Sequence, residues 1–372
     1  MDGSWGMRKR GLVLSLLGSV LLIACEETGQ PRAADPASRP DDVEVLQLGT
    51  TSDMGRLPWS IAERAGTLRA IERRHDVRID IIRFANEADA VAAYGRRDID
   101  AVTSTLSTMI GTVEAEPRDT HVVVVTDFSR GAHGLISRTV RHPRDLRGQT
   151  IHLPLNTASH YLLFRVLERA GLDMGDVKLV NTPAPRLLER AIRGEINTMV
   201  VGAPVLGQLQ VLPEFRSIST SRSLGGELIG GVMVDGALID RKPRLGHALV
   251  EAWFEAVGEV LLDAETFTDA GLEALANLSG LSETQVARFL SPRDLVANAQ
   301  ASLGLMAGRN LDRTILGAQR FRLDARAFGC TRSSTESCVF TRDGNRITNG
   351  VGTEIYLNGQ FLRQWRNGGD DD

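Results

Sequence analysis

The run Thr150-Ile151-His152-Leu153-Pro154-Leu155-Asn156-Thr157-Ala158-Ser159-His160-Tyr161-Leu162-Leu163 decides the fold class. Thr150–Leu153 reads as a short strand, Pro154 to Thr157 as a turn, and Ser159–Ala170 as a helix. Strand, tight turn and helix N-terminus together are the repeating unit of an open α/β sheet. Working outward, the unit recurs. Downstream come strand Val177–Val180, helix Arg186–Arg193, strand Thr198–Val201 and helix Val205–Leu212. Upstream lie strand Val43–Gly49, helix Pro58–Arg74 with Ile61, Ala65, Leu68 and Ile71 along one face, and strand Val77–Ile81. Asn86-Glu87-Ala88-Asp89 opens another helix in the manner of a capping box. Ile99–Thr103 and Val122–Thr126 are further strands, the second an unbroken apolar run suited to the buried middle of a parallel sheet.

After Leu228–Val234 the pattern becomes mostly helical, from Arg244 to about Phe321. The tail carries Asp343-Gly344 and Asn358-Gly359 between short apolar runs, which predicts a small C-terminal β-hairpin extension. Two βα series in succession predict two open lobes. Residues 43–135 and 235–372 form the first and residues 136–234 the second. Ligands of open α/β sheets sit beyond the carboxyl ends of the strands, so the expected site is a cleft between the lobes.

Composition narrows the class. The chain has 372 residues, enough for two cores, since single cores stop growing near ~250–300 residues. A net charge of −4 offers no basic field for nucleic acid. Only Lys9, Lys178 and Lys242 are lysines among 43 basic residues, which leaves little room for lysine chemistry. The seven histidines show no metal-ligand spacing, and no Gly-x-Ser-x-Gly elbow or phosphate loop occurs, so neither metal nor cofactor is expected.

The N-terminus sets the compartment. Arg8-Lys9-Arg10 precedes an apolar stretch about as long as a signal-peptide core, ending in Leu22-Ile23-Ala24-Cys25, which resembles a bacterial lipobox. Residues 1–24 then form a signal peptide, Cys25 is the lipidated residue, and residues 25–42, rich in Pro, Ala, Asp and Arg, form a flexible tether. Outside the cytoplasm the remaining pair, Cys330 and Cys338, is expected to bridge, worth roughly 2–3 kcal/mol.

At Leu146-Arg147-Gly148-Gln149-Thr150-Ile151 and Asn156 to Leu163 the chain resembles the type II periplasmic binding proteins of sulfonate, taurine, nitrate and thiamine-pyrimidine importers. Within that superfamily it is most similar to the solute-binding protein encoded beside urea carboxylase. The similarity lies at Pro58-Trp59, Ala62-Glu63-Arg64-Ala65-Gly66, Asp98-Ile99-Asp100, Asp127-Phe128-Ser129-Arg130-Gly131 and Val180-Asn181-Thr182. The resemblance covers roughly Leu46 to Gln210. It implies a two-lobed, lipid-anchored and monomeric receptor on the periplasmic face of the envelope. Such a receptor closes on a small nitrogen-containing, urea- or guanidine-like solute and delivers it to an ABC permease, without catalysis. Three departures alter the pocket. The loop Thr51 to Arg56 lacks the family's Tyr and Trp, Leu106-Ser107-Thr108 replaces its Asn-x-Asp, and His133 replaces a third acid. These leave fewer acceptors than a guanidinium needs and favour a neutral or differently charged ligand. Two alternatives are an enzyme of the same superfamily that makes the thiamine pyrimidine with pyridoxal phosphate on a lysine, and a ligand-sensing subunit.

The candidate ligand residues follow from strand ends. Thr51, Ser52 and Asp53 come after the first strand, and Thr103, Ser104 and Thr105 form a hydroxyl cluster at another strand end. Trp59 is open to two roles, an aromatic wall or core packing. Asp127 either accepts from a ligand N–H or caps the next turn. Asn156, Thr157, Ser159 and His160 surround a helix N-terminus, whose free N–H groups favour an anion or a carbonyl oxygen. Glu227 lies at the chain's return crossing, as a hinge, pocket or surface residue. The cleft is expected to have Ser104 on one wall and Ser159 on the other.

Overall fold

The computed structural model describes residues 43–112, 118–324, 339–349 and 354–368. The expected signal peptide and tether, Cys25, Cys330 and Cys338 lie outside the described residues.

The first sheet begins with β1 (Glu44–Thr50), which pairs in parallel with β2 (Val77–Arg83) and β3 (Ala101–Thr105). Helices α1 (Leu57–Ala65), α2 (Thr67–His75) and α3 (Glu87–Gly95) make the connections, and α4 (Leu106–Thr112) leads towards β4 (Thr120–Phe128). The expected single helix Pro58–Arg74 is two helices. Gly66 between them has φ +84, a left-handed conformation that ends α1 and lets α2 start in a new direction. Asn86 caps α3 as expected, its side chain accepting from the Asp89 amide at 2.9 Å.

The chain then builds a second sheet. It comprises β5 (His133–Ser137), β6 (Thr150–Leu153), α5 (Ala158–Ala170), β7 (Lys178–Asn181), α6 (Ala184–Ile192), β8 (Thr198–Gly202), α7 (Val205–Gln210) and β9 (Arg216–Thr220). Strand order is β7-β6-β8-β5-β9, with β5 antiparallel to both its neighbours.

β10 (Ile229–Asp235) returns to the first sheet, antiparallel between β3 and β4. Sheet membership therefore moves the expected boundaries. His133, Gly134 and Leu135 belong with the second sheet and residues 229–234 with the first, so the crossings are residues 129–132 and 221–228. The apolar run of β4 is also not inside a parallel sheet. It is flanked by antiparallel β10 and by a parallel strand, Glu354–Leu357, and its four valines are buried all the same.

The helical segment consists of α8 (Gly236–Arg241), α9 (Pro243–Val260), a small β11 (Leu261–Asp263) and β12 (Thr266–Phe267) pair, α10 (Asp269–Ser279), α11 (Glu283–Phe289), α12 (Ala299–Ala307) and α13 (Arg309–Asp324). At the C-terminus β13 (Thr341–Asp343) and β14 (Arg346–Thr348) form the expected hairpin around Asp343-Gly344. The second expected hairpin does not form. β15 (Glu354–Leu357) instead joins the edge of β4, and Asn358-Gly359 leads into α14 (Gln360–Gly368). The extension thus lengthens the first sheet to the order β13-β14-β15-β4-β10-β3-β1-β2.

Helix α13 braces both halves. Its Ile315 and Ala318 pack in the core of the first sheet, while Phe321 stands edge-on to Tyr161 of α5 at 5.6 Å. The Thr314 hydroxyl donates to the Glu227 carbonyl (2.8 Å), and Arg320 pairs with Glu168 of α5 (2.7 Å). A Cβ at Gly317 would overlap the Tyr161 hydroxyl, which donates to the Glu227 carboxylate at 2.8 Å. Gly317→Ala gains helix propensity but overpacks this contact, so a net loss of about 1–2 kcal/mol is expected. Gly258→Ala, at an exposed α9 position with nothing in reach, is expected to stabilise by about 0.5–1 kcal/mol. Urea midpoints of the two variants moving in opposite directions would verify the close approach; a shared direction would refute it.

Candidate ligand-binding site

The segments that follow β1, β2, β6, β7 and β8 meet in one region, with the end of β3 behind Glu87, as in open α/β sheets. Because β5 is antiparallel, its first residue, His133, pairs with Gly202 at the end of β8 and reaches the same place. Between them is a cavity of about 270 Å³. Asp53 and Glu87 line it from the first sheet, His133, Thr157 and Ser159 from the second. It lies just under the ~300–1,000 Å³ usual for drug-sized ligands, which suits a small solute.

Glu87, the first residue of α3, is the centre of the arrangement. It is 3% exposed, and both its oxygens are engaged. Oε1 accepts from the Ser104 hydroxyl (2.9 Å), the Thr105 amide and Arg56 (3.4 Å). Oε2 accepts from the Thr108 hydroxyl (3.0 Å) and from the Ala158 amide at the start of α5 (3.2 Å). That last bond crosses from one sheet's loops to the other's. The α5 cap residue Thr157 has turned away, its hydroxyl donating to the Pro154 carbonyl at 2.8 Å. The first amide of α5, one of the four that a helix leaves without an internal partner, is thus satisfied by Glu87.

Arg56 is buried beside three carboxylates. Its guanidinium lies 3.4 Å from Glu87 and 3.7 Å from Asp53. Burial acts to lower its pKa, but Asp127, Asp53 and Glu87 outweigh that and raise it. Asp127, fully enclosed against the backbones of Gly55 and Gly230, is pushed up by burial despite Arg56 and a 2.8 Å hydrogen bond from Thr126. His133 is pushed down by burial, against the pull of Asp53 and Glu87. The Nδ1 of His133 is 2.9 Å from the Ser129 hydroxyl, which in turn meets Ser221 at 3.1 Å.

Of the residues singled out in the sequence, Thr51, Ser52, Asp53, Thr157 and Ser159 line the cavity. Ser104 and Thr105 lie behind Glu87 and hold it, so the first wall is Glu87 rather than Ser104. Thr103 is sealed between strands, bonding Thr50 at 2.9 Å. Trp59 is core, fully buried against Trp253 at 5.9 Å. Asp127 lies beneath the cavity and does not line it. Asn156 takes a left-handed turn (φ 58), and its amide donates to His160 Nδ1 at 3.2 Å. His160 thus faces α13, edge-on to Phe321 at 4.8 Å, with Nε2 buried and unpartnered among the described residues. Glu227 sits at the brace, accepting from Tyr161 and from Arg165 at 3.2 Å. Two cavity residues, Glu87 and His133, are absent from the candidates that strand ends supply. Glu87 was visible only as a helix start, and His133 only as a substitution for an acid.

Residues 73–215 match the family model described as NMT1/THI5 like. Among curated relatives, the taurine-binding periplasmic protein of Escherichia coli (strain K12) is 24% identical over 158 residues, 41% of this chain and 48% of that protein. The chain thus spans about half the length of the curated relative it matches. Among solved structures, the alkanesulfonate-binding protein SsuA from Xanthomonas axonopodis pv. citri, bound to MOPS, superposes with a TM-score of 0.60 at 19% identity. That superposition covers 77% of this chain and 98% of that one. The Candida albicans CA3427 gene product, described as having the generic periplasmic binding protein fold, gives 0.59 at 10% identity over 75% of this chain and 90% of that one. The matched segment therefore sits within a periplasmic-binding-protein fold, as expected from the sequence.

Two measurements probe this electrostatic core. Arg56→Ala leaves buried carboxylates without their cation and is expected to cost about 3–5 kcal/mol in urea unfolding. His160 has a pKa lowered to about 4 by burial. A base depressed in the fold is protonated preferentially in the unfolded chain, so its share of stability is whole above the unfolded value near 6.5. It is lost as pH falls from there towards 4, by up to about 1.4 kcal/mol per pH unit. Melting between pH 7 and 5 should fall less steeply in His160→Leu than in the native chain, and equal slopes would exclude this assignment.

Proposed function

We propose that this protein is the lipid-anchored solute-binding component of an ABC importer, acting as a monomer on the periplasmic face of the envelope. Its cleft takes a small nitrogen-containing solute of the urea or guanidine kind. The observation that carries this reading is the acidic wall. Asp53 and Glu87 border the cavity, Asp127 lies beneath it, and Arg56 is the guanidinium set among them. The Asp53 side chain keeps 28% of its surface exposed and is the acid available to a guest, with Ser52, Thr157 and Ser159 as further hydrogen-bonding groups. Glu87, its oxygens already engaged within the protein, adds negative charge to that wall and not a free acceptor. A guest with several N–H donors matches such a wall better than an oxyanion does.

The mode of action is closure. A solute touching Asp53 on one side and His133 or Ser159 on the other stabilises the approach of the two halves, and a permease reads that state. Relatives named for taurine and alkanesulfonate binding support the transport role. The lipobox-like Cys25 supports the anchor. Lys178 begins the edge strand β7 and Lys242 precedes α9, both away from the cavity, so neither favours a Schiff-base enzyme.

Melting of the full chain in detergent against guanidinium, urea, methylurea, taurine and ethanesulfonate tests the reading. A true ligand at ~100-fold over its Kd adds about 2.7 kcal/mol. Guanidinium or a urea is expected to produce that shift, and Asp53→Asn to weaken it at least ~10-fold. A panel without any N–H-donor response, or a response untouched by Asp53→Asn, would rule out this ligand class.

A further inference from the structure

The donors around Glu87 have the chemistry of an oxyanion site. Two backbone amides, Thr105 and Ala158, two hydroxyls, Ser104 and Thr108, and the Arg56 guanidinium converge on one carboxylate. One of these amides opens the thirteen-residue helix α5, where the partial positive charge of the helix favours an anion. The site is enclosed and adjoins the cavity, since Glu87, Thr157 and Ser159 also line it. A helix N-terminus that faces a solute cavity is thus occupied by a charge the protein carries on its own chain.

We propose that Glu87 is a specificity-determining residue, a built-in anion that fills the oxyanion cage at the start of α5 and excludes free oxyanions from the cleft. The proposal deepens the reading of the cavity as a solute site. It explains how a fold shared with sulfonate-binding proteins is turned towards N–H donors. Any carboxylate or sulfonate entering the cavity meets the fixed charges of Glu87 and Asp53, and the cage that would neutralise it is taken. Once the side chain is shortened, five donors are left around a space the size of a small carboxylate.

The test is rescue by small anions. Glu87→Ala and Glu87→Gln are each melted as full chains with formate, acetate, methanesulfonate or guanidinium. Glu87→Ala is expected to show saturable stabilisation by at least one anion, with affinity at least ~10-fold above that of the native chain. Glu87→Gln, which keeps the cage filled, is expected to show no such gain. If Glu87→Ala does not fold in plain buffer, its recovery on refolding with acetate, and not with equal chloride, is the same result. Saturable anion binding by the native chain overturns the proposal. So does a Glu87→Ala chain that no anion stabilises or recovers, or a Glu87→Gln chain that gains as much as Glu87→Ala. The guanidinium arm reads the ligand class separately. Anion rescue in Glu87→Ala without guanidinium binding by the native chain upholds the cage and removes the N–H-donor reading.

Discussion

A buried carboxylate must be surrounded by donors, and much of the architecture near the cleft follows from meeting that demand at Glu87. Taking an ion out of water costs several kcal/mol even after relaxation, so an unsatisfied Glu87 would be strongly destabilising. The donors come from four places in the chain: the turn before α1, the end of β3, the first turn of α4 and the start of α5. Three of these belong to the first sheet's loops and one to the second's. Strand ends far apart in sequence are thus held in register by one side chain, and the cavity beside it inherits that rigidity.

The same accounting of charge shapes what the cleft does chemically. Arg56 faces Asp127, Asp53 and Glu87, more negative charge than one guanidinium balances. Burial pushes Asp127 towards its protonated form, which relieves part of the excess beneath the floor. Burial also holds His133 towards neutrality, so the opposite wall offers an imidazole in place of a second cation. What remains directed at the cavity is Asp53, partly exposed and steadied by the Thr51 hydroxyl at 2.6 Å. The wall is acidic because Asp53 is more exposed than the buried cation it pairs with.

Much of the fold was legible because it is local. Most strands and helices from β1 to α7, though not α4, β5 or the break between α1 and α2, follow from apolar periodicity, and the β13–β14 turn from Asp343-Gly344. β9 escaped notice because Arg216-Ser217-Ile218-Ser219-Thr220 has little apolar content, and β5 because His133-Gly134 opens it. Strand direction is a tertiary property, so the insertion of β10 between β3 and β4 had no signature in Ile229–Asp235. The site was legible to the same degree. Thr51, Ser52, Asp53, Thr157 and Ser159 follow strand ends and line the cavity, since that rule depends only on chain order. Glu87 was missed for a physical reason: an acid at the first position of a helix is already explained by the helix dipole. Only the fold brings Ser104, Thr108 and Ala158 to it.

Helix α5 links these observations to motion. Its first turn reaches Glu87 in the cleft, while its next turns rest on α13 through Tyr161, Phe164 and Phe321. The two contacts lie on one rigid helix, so a rotation that withdraws Ala158 from Glu87 must be taken up at the brace. There Tyr161 and Arg165 hold Glu227, whose carbonyl is held in turn by Thr314. Glu227 lies within the crossing at residues 221–228, where the chain passes between the sheets and where backbone torsions absorb such a rotation. An internal bond on one side of α5 and a polar pivot on the other therefore define one coordinate for opening. A guest that competes for, or adds to, the Glu87 side of that coordinate shifts the balance by its differential contacts alone.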